Sequence, residues 1–190
     1  MIPLAIDPAG PRLGLAGAGA PALRRWEALR AAGAGESLTV FTGDPLLTAK
    51  AGAAARPGSP GAEDLARLQL LWIAGLPRED YLPLAAAARA ARVLVNVEDV
   101  PELCDFHAVA ELRRGDLLLT VSTGGQAPGL ASLIRAQLAA WFPEVWAERV
   151  KETAACRRAW RAAGLGMAET ARRIATMAQE RGWLNRREMD

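Results

Sequence analysis

The chain has one histidine, His107, and two cysteines, Cys104 and Cys156, in 190 residues. Metal-ligand clusters built on histidine are therefore excluded. The two thiols are far apart and have no C-x-x-C or Cys/His ligand spacing, which argues against a disulfide framework and a structural zinc site. His107 reads as a partly buried hydrogen-bonding residue rather than a catalytic one. No G-x-S-x-G elbow is present, so a Ser-His-Asp nucleophile lacks its usual setting. The net charge of +2 is too small to argue for nucleic acid, although basic residues bunch at Arg113 and Arg114 and from Arg157 onward. No segment reaches membrane-spanning length without a charge or a proline, and the opening MIPLAIDPAG lacks a basic region followed by a long apolar run. The expectation is a soluble, cytoplasmic protein with reduced thiols and no membrane or nucleic-acid partner. No internal repeat stands out.

What is present is an apolar half, 51% of the residues, enough for one substantial core and a small appended helical unit. RLGLAGAGAPALRRWEALRAAGA reads as strand, tight turn and helix, with Leu23, Trp26 and Leu29 on one helical face. SLTVFTGD follows as a second strand and completes a βαβ unit. AGAAARPGSPGA reads as loop without a strand. A short helix near AEDLARL, a strand LQLLWIAG, a helix through LPLAAAARAA with Pro83 in its first turn, and a strand RVLVNVE come next. The apolar runs are continuous rather than alternating, which predicts a parallel sheet buried on both faces. Beyond Phe106, AVAELRRGDLLLTVSTGG predicts a hairpin turning at Gly115-Asp116, and APGLASLIRAQLAAWF a helix opening at Pro128. The remainder splits at Gly164-Leu165-Gly166 into two helices with arginine-rich outer faces.

Three stretches carry candidate chemistry. GAGAPA, Gly17 to Ala22, matches G-x-G-x-x-G/A. Gly17 permits the tight turn, Gly19 lets the backbone approach a pyrophosphate, and Ala22 allows close helix packing. Asp44 follows about 20 residues beyond the turn, the spacing of the acid that accepts ribose hydroxyls in NAD-binding units, although TGDP also spells a simple turn. STGGQAPG, from Ser122 through Thr123, Gly124 and Gly125, forms either an anion-binding concavity or a helix cap. Arg113, Arg114 and Arg135 are candidates to meet substrate carboxylates, or are surface arginines. VNVEDVPELCDF ends a buried strand in the acids Glu98, Asp99 and Asp105.

Taken in order, the glycine turn followed by ALRR, then VNVEDVPELCDF, RRGDLLLTVSTGGQAPGLASLIR and a helical tail resemble the precorrin-2 dehydrogenase and sirohydrochlorin ferrochelatase family of siroheme biosynthesis. The resemblance covers most of the chain and is densest from Val95 to Arg135. It implies an α/β fold: a Rossmann-like NAD-binding domain (1–108), a dimerisation region (109–144) and a small C-terminal helical domain (145–190), assembled as an intertwined homodimer. It implies NAD-dependent oxidation of precorrin-2 to sirohydrochlorin, and in some members insertion of ferrous iron, met as a transient substrate rather than held by a ligand set. Asp99 falls where the family has its catalytic aspartate. Ala20, Pro21, Gly43 and Gly75 join Gly17, Gly19, Ala22 and Asp44 as cofactor-binding positions, and Arg113, Arg114, Ser122, Thr123, Gly124, Gly125 and Arg135 serve the tetrapyrrole.

Three departures qualify the resemblance. The family's third strand is missing from AGAAARPGSPGA, which predicts a shorter or irregular sheet. The IAGLPRED turn lacks the family's threonine, so Gly75 is expected to alter the nicotinamide side of the pocket. Val109 stands in place of a proline. Two other classes remain open: a dinucleotide-sensing regulatory module, which needs only Gly17 to Asp44, and a tetrapyrrole carrier or metallochelatase without dehydrogenase activity.

Overall fold

Residues 2–184 are described in a computed structural model, and they divide at Ala108/Val109 into two compact units. Residues 185–190, the end of the expected helical domain, lie outside the described residues.

In the first unit, β1 (Leu13–Gly17), β2 (Leu38–Thr42), β3 (Ala55–Pro57), β4 (Leu70–Ala74) and β5 (Leu94–Val97) form one parallel sheet in the order β3-β2-β1-β4-β5. The central strand β1 is buried at every position, as its unbroken apolar run requires of a strand covered on both faces. One face packs Phe41, Leu71, Ile73 and Val95 against Leu65 of α3 (Ala62–Leu65) and Leu84, Ala85 and Ala88 of α4 (Arg78–Ala90). The other packs Leu13, Leu15, Val40 and Leu70 against Leu29 of α1 (Gly19–Ala31) and Leu47 of α2 (Pro45–Ala51).

Two expectations are corrected here. The stretch read as loop contains β3, so the sheet keeps its fifth strand. β3 has no β-branched residue and is defined by its pairing with β2, Val40 to Ala55 through Thr42 to Pro57, with Pro57 tolerated because the strand lies at the edge. Helix α4 begins a turn earlier than expected, at Arg78 after Pro77, so Pro83 lies inside the helix rather than in its first turn. The loss of one backbone donor there is offset by a face that packs against the sheet.

The second unit consists of the antiparallel hairpin β6 (Ala110–Arg114) and β7 (Leu117–Val121), then α5 (Pro128–Trp141), α6 (Trp146–Ala162) and α7 (Met167–Glu180). Arg114 pairs with Leu117 across the expected Gly115-Asp116 turn, where Gly115 has φ +57° and Asp116 is not left-handed, the pattern of a type II′ turn. Helix α5 packs on both strands through the buried Leu112 and Ala131. Two arginines of this unit stack on tryptophans: the Arg149 guanidinium lies 5.0 Å from the Trp146 ring and 5.5 Å from Trp183, and the exposed Arg181 lies over Trp183 while pairing with Glu152 at 2.5 Å. Among the described residues no helix is long and apolar enough to cross a membrane.

Candidate functional site

The turn from β1 into α1 is shaped by side-chain size. A Cβ on Gly17 would lie 2.0 Å from the Ala74 carbonyl oxygen and 2.9 Å from the Ala22 methyl, so glycine at one place and alanine at the other let β1, β4 and α1 close together. Gly19 takes φ +67°, which a side chain would resist. The N-cap residue of α1 supplies no side-chain cap and its first turn holds no acid, but the Asp44 carboxylate accepts from the Gly19 N–H, so one donor of the helix's positive end already meets an anion. Around that end Ala18 N–H donates to Ala74 O and Gly19 N–H to Asp44, while Pro21 has no N–H. Among the described residues the Ala20 N–H has no hydrogen-bond partner and can donate to a ligand.

Asp44 ends β2's exit loop and is the N-cap of α2, an element the sequence reading missed. Its Oδ1 accepts from Leu46 N at 2.8 Å and Leu47 N at 3.1 Å, and its Oδ2 accepts from Gly19 N at 2.8 Å. The amides of Leu47 and Gly19 hold its carboxyl below the usual range, with Leu46 adding to them and partial desolvation opposing. A carboxylate offers about four acceptor positions. Three are taken, so Asp44 ties the glycine turn to α2 and keeps room for one further donor. The helix start had a sequence signature, Asp at the cap and Pro45 next.

A cleft of about 670 Å³ lies on the α3/α4 side of the sheet, at the carboxyl ends of β1 and β2. In open α/β sheets ligands bind at that edge, at the point where the strand order reverses; here that point lies between β1 and β4. Gly17 and Ala18 line one end; Phe41, Pro60, Pro83 and Leu84 supply apolar walls; Gly43, Asp44 and Asp80 complete it. No lysine, arginine or histidine is among the lining residues. Gly75, expected beside the nicotinamide, also shapes the backbone of this edge. It has φ +68°, and a Cβ there would lie 2.1 Å from Ala18 O, so it seats the β4 exit against the glycine turn.

At the end of β5 the three acids have different surroundings. Asp105 accepts from Arg89 Nε and Nη2 and from Val95 N at 2.9 Å, covering the outer edge of β5. Partial burial pushes its carboxyl up, but the Arg89 hydrogen bonds, the Val95 amide and the Arg89 charge outweigh this and hold it below the usual range. Glu98 is paired at 3.6 Å with Arg24 of α1. Asp99 is exposed and takes φ +62°, a left-handed conformation uncommon outside glycine, asparagine and aspartate. It follows the same carboxyl edge of the sheet but is not among the cleft's lining residues. Cys104 shares its thiol with Val97 and Val100, and desolvation, against the Val97 amide, leaves its pKa raised. His107 is exposed, not partly buried as its sequence context predicted.

The remaining candidates belong to the second unit. Arg113 forms a two-pronged pair with Glu111. Arg114, with its side chain 14% exposed, donates to the carbonyls of Phe142 and Arg113 and pairs with Glu144. Arg135 makes no ion pair among the described residues. The Ser122 hydroxyl accepts from Gly124 N and the Thr123 hydroxyl from Ala127 N, while Gly124 and Gly125 take positive φ, so this stretch shapes the entry to α5.

These features define a Rossmann-type dinucleotide-binding unit followed by a separate strand–helix unit. Residues 4–110 match the family described as "Putative NAD(P)-binding", and residues 114–140 the family described as "Sirohaem biosynthesis protein central". A siroheme synthase from one strain of Pseudomonas putida is 48% identical over 65 residues, 34% of this chain and 14% of that protein. Another strain's siroheme synthase is 36% identical over 146 residues, 73% of this chain and 31% of that protein. The chain thus spans about a third or less of these relatives. The solved structure of SirC, precorrin-2 dehydrogenase, shares the fold with a TM-score of 0.72 at 20% identity, covering 100% of this chain and 95% of that one. The chain belongs to the precorrin-2 dehydrogenase and sirohydrochlorin ferrochelatase family, through its NAD(P)-binding domain and the central segment that follows it.

Proposed function

We propose that the chain oxidises precorrin-2 to sirohydrochlorin with NAD, within siroheme biosynthesis in the cytoplasm. The observation that carries this reading is the cleft: a tightly closed glycine turn, a helix N-terminus whose Ala20 N–H is without a partner among the described residues, two carboxylates, and no cationic side chain among the lining residues. Gly17, Gly19, Ala20, Pro21 and Ala22 form the cradle for a pyrophosphate, and Gly75 keeps it shut. Gly43 and Asp44 lie beside the ribose, with Asp44 accepting one hydroxyl at its remaining position. A 2′-phosphate would meet Asp44 without a cationic side chain among the lining residues to offset it, so NAD is preferred to NADP.

When bound, NAD supplies the acceptor for two electrons. Asp99, exposed at the strand end, takes the proton that leaves the tetrapyrrole with them. Arg135, Arg113 and the Ser122–Gly125 stretch engage the tetrapyrrole carboxylates. Arg114, already bound to two carbonyls and Glu144, serves mainly to hold Arg113's strand in place. In this reading ferrous iron is cargo. Among the described residues no three side chains cluster to hold a metal, and Asp99 would assist insertion by accepting pyrrole protons.

The working form is a homodimer through residues 109–144. Helix α5 exposes Leu130, Leu133 and Ile134, with Leu133 69% exposed, more contiguous apolar surface than the second unit covers by itself. Light scattering should give twice the chain mass.

The test is to titrate purified protein with NAD and then add precorrin-2 while following NADH absorbance. NADH formation supports the dehydrogenase. NAD binding without turnover identifies a sensing module, and tetrapyrrole binding without NAD identifies a carrier or chelatase.

A further inference from the structure

We propose that Asp80 selects adenine as the base of the dinucleotide by accepting a hydrogen bond from its exocyclic amine. This deepens the cofactor reading and rests on it. Asp80, Pro83, Leu84 and Ala87 all line the cleft, and their spacing of three, four and seven residues places them on one face of α4. The face is graded: a carboxylate in the first turn, then apolar surface along the helix. Opposite it lie Phe41, Pro45 and Pro60. Such a slot fits a flat heterocycle, and the acid at its end decides which heterocycle is accepted.

Two observations separate this role from a purely structural one. Among the described residues the Asp80 carboxylate has no hydrogen bond or ion pair, whereas Asp44, the other acid of the cleft, has three of its positions filled by amides. Glu79 and Asp80 share the first turn of α4 and so share whatever the helix dipole gives, yet only Asp80 lines the cleft. An open acceptor beside an apolar slot favours a ligand with a donor in the plane of its ring. Adenine presents its N6 amine. Hypoxanthine replaces that amine with a carbonyl oxygen, which would face the carboxylate acceptor to acceptor.

The test compares NAD with nicotinamide hypoxanthine dinucleotide by calorimetric titration of the full chain. The wild type should bind NAD about tenfold or more tightly, the discrimination expected of one hydrogen bond to a charged group. Asp80→Asn, close to isosteric at an exposed site, can donate to the hypoxanthine oxygen and should collapse the preference. Asp80→Ala should weaken NAD and, by removing the acceptor that faces the hypoxanthine oxygen, bind the analogue at least as tightly as the wild type does. Thermal melts of both variants establish that they fold. Equal binding of the two dinucleotides by the wild type, or an undiminished preference in Asp80→Asn, would overturn the assignment while leaving NAD binding intact. Binding of neither dinucleotide would overturn the cofactor reading and this inference with it.

Discussion

Replacing Gly75 by alanine should damage both stability and cofactor binding, because the residue is constrained twice. Its φ of +68° is left-handed, where a Cβ costs about 1–2 kcal/mol. That Cβ would also lie 2.1 Å from Ala18 O and 3.3 Å from Ala18 C, both backbone atoms that cannot swing aside as a side chain can. Forcing extra volume into a packed site costs about 1–3 kcal/mol. Together the loss is about 2–5 kcal/mol, and at about 2–4 °C per kcal/mol for a chain of this size the melting temperature should fall by about 4–20 °C. The displacement passes directly to Ala18 and Gly19, whose amide bonds Asp44, so NAD affinity should fall too. Calorimetric melting and NAD titration measure the two effects. Gly129→Ala is the control: nothing lies within 4 Å of its Cβ and it sits in a helix, so stability should hold or rise by about 0.5–1 kcal/mol. A Gly75→Ala protein that melts within about 2 °C of wild type and binds NAD normally would refute the close seating of β4 on the glycine turn.

Asp44→Ala removes a helix cap worth about 1 kcal/mol and the bond to Gly19, and should narrow the preference for NAD over NADP in comparative titrations. Equal binding of both by the wild type would show that the carboxylate serves only the two turns. Asp99→Ala and Asp99→Gly should both bind NAD and lose most precorrin-2 oxidation, but only the glycine variant should melt at or above wild type, since it alone accepts φ +62° freely. Unchanged turnover in either would move the proton acceptor elsewhere. Asp105 has a folded pKa below its unfolded value, so its contribution is present above the unfolded pKa and lost as pH falls through the folded one. Asp105→Asn should therefore flatten the acid limb of melting temperature against pH, and a limb of unchanged steepness would exclude the Arg89 pair as its source.

Strands β1, β2, β4 and β5 were legible because each is an apolar run of the length a doubly covered strand requires, and the glycine turn because Gly17 and Ala22 recur at a known spacing. β3 was not legible. Ala55, Arg56 and Pro57 carry no strand preference, and only the neighbouring β2 makes them a strand. Helix α2 could have been read from Asp44 and Pro45, but the same residues also fit a turn. The helical register of Asp80 with Leu84 was hidden by Pro83, which reads as a helix start. Contacts between distant segments left no local trace: Asp44 on Gly19, Gly75 on Ala18, and Arg114 on the Phe142 carbonyl each depend on parts of the chain brought together by folding. The left-handed Asp99 is of the same kind, for nothing in VNVEDVP distinguishes its backbone from that of Glu98.

The central claim is that this chain couples precorrin-2 oxidation to NAD reduction, and the most direct measurement is the stoichiometry of a single anaerobic turnover with protein in excess. Precorrin-2 and NAD are mixed with the protein, and NADH and sirohydrochlorin absorbance are followed together. The account predicts that both rise at one rate, with one NADH formed for each precorrin-2 consumed, and that neither rises when NAD is omitted. Sirohydrochlorin appearing equally fast without NAD, or NAD bound and no NADH formed, would contradict it.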